Sequence, residues 1–220
     1  DTYTWSALAY NAFARPTQVQ RSSSLGYGVT EKTTYQEDSP DYAPSFFARW
    51  VLGVPLQAEN LTEGVVVSRD VYELTNLTLS QRFKFGRKVV DYTFDEQGEL
   101  ASFTDGNGHT TALSNYKRGI PQLITYPAAP VVTTQSLQVD DLGQIASITN
   151  QVGATTTYGY DAIGRIASIT YPADDSIPWN TKTFSYAFGA DAARELLGTH
   201  WQRSTVQGAK VQLTHFDAML

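Results

Sequence analysis

The sequence predicts an all-β fold: antiparallel β-hairpin repeats forming a continuous curved sheet, with little helix. Three observations carry that reading. An internal repeat runs through the chain. The segments between its punctuating residues are rich in Thr, Ile, Val, Tyr and Phe and have ordinary strand length. Charged residues make up only 17% of the chain, against about 25% in an average globular protein, and the Thr- and Tyr-rich remainder suits pleated, half-wet surfaces.

The repeat is visible when "YTFDEQGELASFTDGNGHTTALSNYKRGIPQLITYP" is placed above "LQVDDLGQIASITNQVGATTTYGYDAIGRIASITYP". Asp95, Gly98, Gly108 and Tyr126 recur 45 residues later as Asp140, Gly143, Gly153 and Tyr171. A period of 21 lies inside it, from Asp140 to Asp161 and from Gly143 to Gly164. The unit reads aromatic-Asp-x-x-Gly, an outgoing strand, a turn, and a Thr/Tyr-rich return. The clearest copies occupy residues 90–127 and 137–172, with degenerate copies near 3–20 and 214–220. Irregular inter-repeat segments are expected at 21–80 and 173–213, the whole being a single section of repeat.

The Asp-x-x-Gly sequences are turns by chemistry: Asp or Asn bonds its own backbone two residues on, and Gly accepts positive φ. A strand, turn, strand, turn cycle within 21 residues is too short for a crossover helix and predicts a meander of hairpins. Return strands alternate cleanly, with Thr156, Tyr158 and Tyr160 on one face. Outgoing strands do not: Ile145 and Ile148, Ile166 and Ile169, and Leu100 and Phe103 stand three apart. Either both faces are partly buried or a bulge intervenes. One helix is expected, in "GADAARELLGTH" at 189–200, with Asp191 as N-cap and Gly198 as the C′ residue.

Composition removes several function classes. A net charge of −6 and a pI near 5.0 give no electrostatic footprint for nucleic acid. No cysteine is present, which excludes disulfides, thiolate metal sites and cysteine nucleophiles. No apolar run approaches the roughly 18 residues of a membrane span, and no signal-peptide pattern opens the chain. Both ends read as cuts through a continuing pattern.

"YGYDAIGRIASITYP" at 158–172 and, more loosely, "YNAFARPTQV" at 10–19 resemble the RHS repeat, also called the YD repeat. "TTYQEDSPDYAPSFFARWVLGVP" at 33–55 resembles an inter-repeat segment of long bacterial RHS proteins, with Gln36-Glu37 where His-Asp often follows the Tyr. The repeat-defining turn residues are then Tyr10, Asn11, Asp95, Gly98, Asp140, Gly143, Tyr160, Asp161, Gly164, Arg165, Phe216 and Asp217. The resemblance implies a section of a β-shell like those of toxin complexes, bacterial polymorphic toxins and teneurins. It implies a non-catalytic role, no cofactor, and as partners the rest of the shell and an enclosed toxin domain. It further implies a secreted or cell-surface bacterial location. The family's self-cleavage segment carries Asp-Pro motifs. No Asp-Pro occurs here, so autoproteolysis is not assigned.

Chemistry-bearing candidates were weighed against plainer roles. "DGNGH" at 105–109 begins like a calcium loop, but Thr110 and Tyr116 stand where Gly and Glu are required, and the repeat makes it a turn. Asp140-Asp141 and Asp174-Asp175 are adjacent pairs, which a strand would point to opposite faces, unlike a glycosidase pair. His109, His200 and His215 lack metal spacing, and no Gly-x-Ser-x-Gly elbow occurs. "NLT" at 60–62 and 76–78 fits the glycosylation pattern, incidental in a bacterial protein. Trp50 and Trp179 are the candidates for ligand stacking, which would make the chain a carbohydrate- or cell-surface-binding module. The open edges of a hairpin strip predict edge-to-edge self-association.

Overall fold

The computed structural model describes residues 1–173, 180–194 and 196–216. The chain divides into two compact units, residues 1–112 and 113–220, and the boundary falls inside one strand. The first unit holds β1 (Tyr3–Tyr10), β2 (Pro16–Ser23), β3 (Gly28–Tyr35), β4 (Pro55–Asn60), β5 (Val65–Tyr72), β6 (Leu79–Lys84), β7 (Arg87–Phe94), β8 (Leu100–Asp105) and the start of β9 (Thr110–Lys117). Each of these strands pairs antiparallel with its neighbour in sequence. The second unit holds the rest of β9 and then β10 (Ile120–Tyr126), β11 (Thr133–Val139), β12 (Ile145–Thr149), β13 (Thr155–Tyr160), β14 (Ile166–Thr170), β15 (Lys182–Asp191), β16 (Leu196–Gln207) and β17 (Lys210–Phe216). From β10 onward these too pair antiparallel in sequence order. The fold is all-β and built of hairpins, as the repeat predicts.

Helix occurs elsewhere than the sequence suggests. Asp191 ends β15, Ala192–Arg194 forms a single 3₁₀ turn, and Gly198 lies inside β16. The long ladder from Lys182↔Gln207 to Phe188↔Trp201 outweighs the local helix propensity of the Ala-Ala-Arg run. An Arg194 Nη1–Asp191 Oδ2 ion pair at 2.6 Å braces the corner. The one α-helix among the described residues, α1 (Ala43–Phe47), starts with Pro44 in its first turn, where the missing N–H costs nothing. It ends in a Schellman motif, Val51 N–H donating to the Phe46 carbonyl and Trp50 N–H to that of Phe47.

The spacing of three in the outgoing strands is resolved as a bulge. Gln138 faces Ser147 but Val139 faces Ile145, so Ala146 is extra. Ala167 is extra between Gly159↔Ser168 and Tyr160↔Ile166, and Ala101 between Thr93↔Ser102 and Phe94↔Leu100. The bulged alanine returns each pair of apolar residues to one face, opposite the aromatic or aliphatic residues of the preceding strand.

Register therefore sorts the second unit into two faces. Ser136, Ser147, Thr149, Thr155, Thr157, Ser168, Thr170, Thr183 and Ser185 align as an uncharged hydroxyl surface. Leu137, Ile148, Tyr158, Ile169, Phe184 and Tyr186 lie on the other face. Burial is shallow on both. Among the described residues only Phe46, Leu56 and Val139 are buried apolar side chains. Phe46 sits edge-on to Tyr42 and Tyr72 at 6.1 and 5.6 Å. The chain exposes 14388 Å², whereas two separate compact bodies of half its mass would expose about 12,000 Å².

Candidate functional site

The residues that recur in sequence converge on one local device. Asp95, Asp105, Asp140 and Asp161, with Asn11 and Asn150, each open a hairpin turn. Each first residue's backbone carbonyl accepts from the fourth residue's N–H, and its side-chain Oδ1 accepts from the N–H groups two and four positions on. The fourth residue has positive φ: +83° at Gly98, +85° at Gly143 and +86° at Gly164. Glycine meets that conformation without steric cost. Ala14 holds it at 58° in the first turn, a strained place for a side chain.

Two further units lie where the sequence shows no Asp-x-x-Gly. Tyr35 and Tyr72 each directly follow a register shift, as Tyr160 does. Gln36 occupies the Asp place: its backbone N–H donates to the Val54 carbonyl, and its Oε1 accepts from Val54 N–H at 2.6 Å. Residues 36–54, including α1, are thus an expanded repeat turn. After Tyr72, Glu73 bonds Thr75 and closes on Thr78. The sequence signals were the two tyrosines and, for the first of these units, the resemblance of residues 33–55 to an inter-repeat segment.

The expanded turn folds back on the first one. Glu37, whose side chain is fully buried, accepts from Arg15 Nε at 2.7 Å, Gly53 N–H at 2.9 Å and Asn11 Nδ2 at 3.1 Å. Burial pushes its carboxyl up, but the Gly53 N–H, Arg15 and Asn11 together outweigh this and hold it below its ordinary value. Phe13 at the turn tip packs on Phe47 at 5.6 Å. In the last clear repeat, Arg165 Nε instead meets its own turn residue, Asp161 Oδ2, at 2.7 Å. Its guanidinium lies 3.9 Å from the Tyr186 ring centre.

The repeat tyrosine joins neighbouring units. Tyr160 OH donates to the Ile145 carbonyl at 2.9 Å, and Tyr35 OH to the Pro16 carbonyl at 3.3 Å. Both acceptors directly precede the extra residue of the preceding unit's outgoing strand. Tyr10 ends β1 opposite Pro16, and Phe216 ends β17 opposite Trp201. Asp217, Trp179, Asp174 and Asp175 lie outside the described residues.

Other polar candidates are scattered. Asp141 pairs with Lys117 at 2.8 Å, away from the Asp140 turn bonds. His109 lies 3.2 Å from Asp105, and His215 the same distance from Asp191, while His200 sits in β16 opposite Gly189. Asp105 spends one oxygen on the Asn107 and His109 N–H groups. Among the described residues no three His, Asp or Glu are grouped to hold a metal ion. Asn60 and Asn76 of the two NLT sequences each bond a nearby backbone N–H.

Two aromatic surfaces stand out. Trp50 is 89% exposed and left-handed at φ 56°. A groove of about 610 Å³, missed in the sequence, is lined by Tyr3, Trp5, Leu25, Tyr27 and Val29 with the Arg21 side chain.

Comparison with known proteins places these features. The family model described as RHS Repeat matches residues 139–176. No curated protein matches the chain. Solved structures similar in fold include the crystal structures of TcdB2-TccC3-Cdc42 (12% identity, TM-score 0.59) and of TcdB2-TccC3 without its hypervariable C-terminal region (13%, TM-score 0.58). Each match covers 96% of this chain, which spans 12% of the length of either solved chain. Residues 139–176 thus match the RHS repeat, and the antiparallel hairpins of the chain share the fold of these solved structures over 96% of its length.

Proposed function

We propose that residues 1–220 are a non-catalytic wall section of an RHS/YD-repeat shell that encloses or displays a toxin or effector domain, in a secreted or cell-surface bacterial protein. The observation that carries this is the surface: in each unit a layer of hairpins, with only three buried apolar side chains among the described residues and a surplus of exposed area. Such a layer lacks the second layer that a self-sufficient domain packs against. Neighbouring parts of a shell supply that cover. The recurring polar residues, Asn11, Asp95, Asp140 and Asp161, close turns, and Tyr35 and Tyr160 staple hairpins, roles that belong to a wall. The test is made in the intact parent protein, by deleting the two repeat units of residues 137–172 in register. Loss of protease protection of the effector domain is expected, and unchanged protection overturns the reading. As an isolated section the chain is expected to self-associate through its end strands.

A second reading, a carbohydrate- or cell-surface-binding module, draws on Trp50, whose ring stands almost wholly in solvent on a left-handed backbone. Glycan-array binding that Trp50→Ala abolishes supports it. The absence of binding to any glycan removes it.

A further inference from the structure

Two turns of the chain share one sequence pattern but differ in what covers them. Asn11-Ala12-Phe13-Ala14-Arg15 matches Asp161-Ala162-Ile163-Gly164-Arg165 position by position. In the first, the tip residue Phe13 packs against Phe47 of the expanded turn while staying 45% exposed, and Arg15 Nε is bonded to Glu37. In the second, Ile163 is 74% exposed. The Arg165 guanidinium stacks on Tyr186 and reaches to 5.9 Å from Trp201, which pairs at 5.4 Å with Phe188. Phe188 is 59% exposed and Trp201 40%. An exposed cluster of Trp, Tyr and Arg is the composition of interface hot spots.

The carboxylate on the arginine decides what can settle on each turn. Glu37 Oε1 and Asp161 Oδ2 both accept from the arginine Nε at 2.7 Å, so each supplies the carboxylate its arginine takes. Where the turn opens with Asn11, its Oδ1 closes the turn and its Nδ2 donates outward to Glu37 and Asp38, which draws in an acidic segment. Where the turn opens with Asp161, the chain supplies the carboxylate itself, and a second acid arriving there would meet like charge.

We infer that the surface formed by the Asp161 turn with Tyr186, Phe188 and Trp201 docks an aromatic helical segment built like residues 36–54 but uncharged at the places of Glu37 and Asp38. The occupant follows from the first turn, where such a segment packs and hydrogen-bonds on the same pattern, and from charge, which removes its acids. The inference does not depend on whether the chain encloses anything.

Two labelled synthetic peptides of the residue 35–54 sequence test this on the full chain by fluorescence anisotropy. One carries the native acids, the other Glu37→Gln and Asp38→Asn. The neutral peptide is expected to bind saturably and at least about tenfold more tightly than the acidic one, since removing one like-charge contact is worth about 1.4 kcal/mol, or a factor of ten. Ile163→Asp, at an exposed tip that leaves the circular dichroism spectrum unchanged, abolishes that binding. Asp161→Asn reverses the preference toward the acidic peptide. The inference is overturned by lack of saturable binding, by binding that Ile163→Asp leaves intact, or by a preference that Asp161→Asn does not move.

Discussion

At the scale of single residues, the first turn shows how a weak copy of the repeat is kept. Ala14 holds φ 58° where the other turns have Gly, and an L-residue there carries a cost of about 1–2 kcal/mol. Ala14→Gly is therefore expected to stabilise the protein by about 1 kcal/mol, read from the urea midpoint at unchanged slope. Gly164→Ala is expected to do the reverse by a similar amount, since the Gln144 amide 2.8 Å from the new Cβ is the end of a flexible side chain that can swing away. What offsets the strain at Ala14 is the clamp around Glu37. Replacing it as Glu37→Gln leaves Arg15 without its carboxylate and is expected to cost about 1–3 kcal/mol. The clamp also sets a pH dependence. Folding lowers the pKa of Glu37, so its stabilisation is fully present above the ordinary glutamate pKa and is lost as pH falls through the lowered folded value. Urea titrations at pH 7 and pH 3 should show a smaller acid-induced loss in Glu37→Gln than in the unaltered chain. Equal losses would place the pH sensitivity elsewhere.

At the scale of elements, the unit is a hairpin whose outgoing strand carries one residue too many. The sequence betrays this through Ile145 and Ile148, and Ile166 and Ile169, three apart, but periodicity alone leaves a bulge and a two-sided strand equally open. Cross-strand register decides it, with Ala146 and Ala167 extra. The Asp-x-x-Gly turns were legible because two residue types with special backbone chemistry stand at fixed spacing. The Tyr35-Gln36 unit showed only as a resemblance of residues 33–55 to an inter-repeat segment, and the Tyr72-Glu73 unit not at all, because Gln and Glu carry no turn preference and a loop of variable length separates the closing pair. The helix expected at 189–200 failed for the opposite reason: its local signals were good, but β15 and β16 pair along nearly their whole length. The element-scale tie between units is the tyrosine hydroxyl. Tyr160→Phe removes the hydroxyl's bond to the Ile145 carbonyl beside its bulge and is expected to cost about 1 kcal/mol. Hydrogen exchange should locate the loss at β12 and β13, and an unchanged exchange pattern there would deny the staple its role.

At the scale of the whole molecule, pairing in sequence order within each unit leaves β1 with β2 as its ladder partner in the first unit and β17 with β16 in the second. Natural end strands are blunted by lysine, proline or inward charge. β1, "YTWSALAY", carries none of these. It also exposes Tyr3 by 77%, Trp5 by 59% and Leu8 by 52%, beside the groove shared with Leu25 and Tyr27. An apolar strand end with an apolar groove beside it is a surface that other polypeptide covers in a soluble assembly. The section alone is accordingly expected to associate as concentration rises, with sedimentation velocity showing species heavier than the 24.3 kDa chain. Ser6→Pro, which removes a donor and interrupts β1, and Trp5→Lys, which adds charge to the groove, should each shift the distribution toward the monomer. Val211→Lys on β17 (Val211 is 61% exposed) tests the last strand of the second unit independently. A section that stays monomeric at high concentration would show that the exposed strands are tolerated in isolation. The uncovered surface would then be an adaptation for solvent on both faces, in place of a wall that waits for its neighbours.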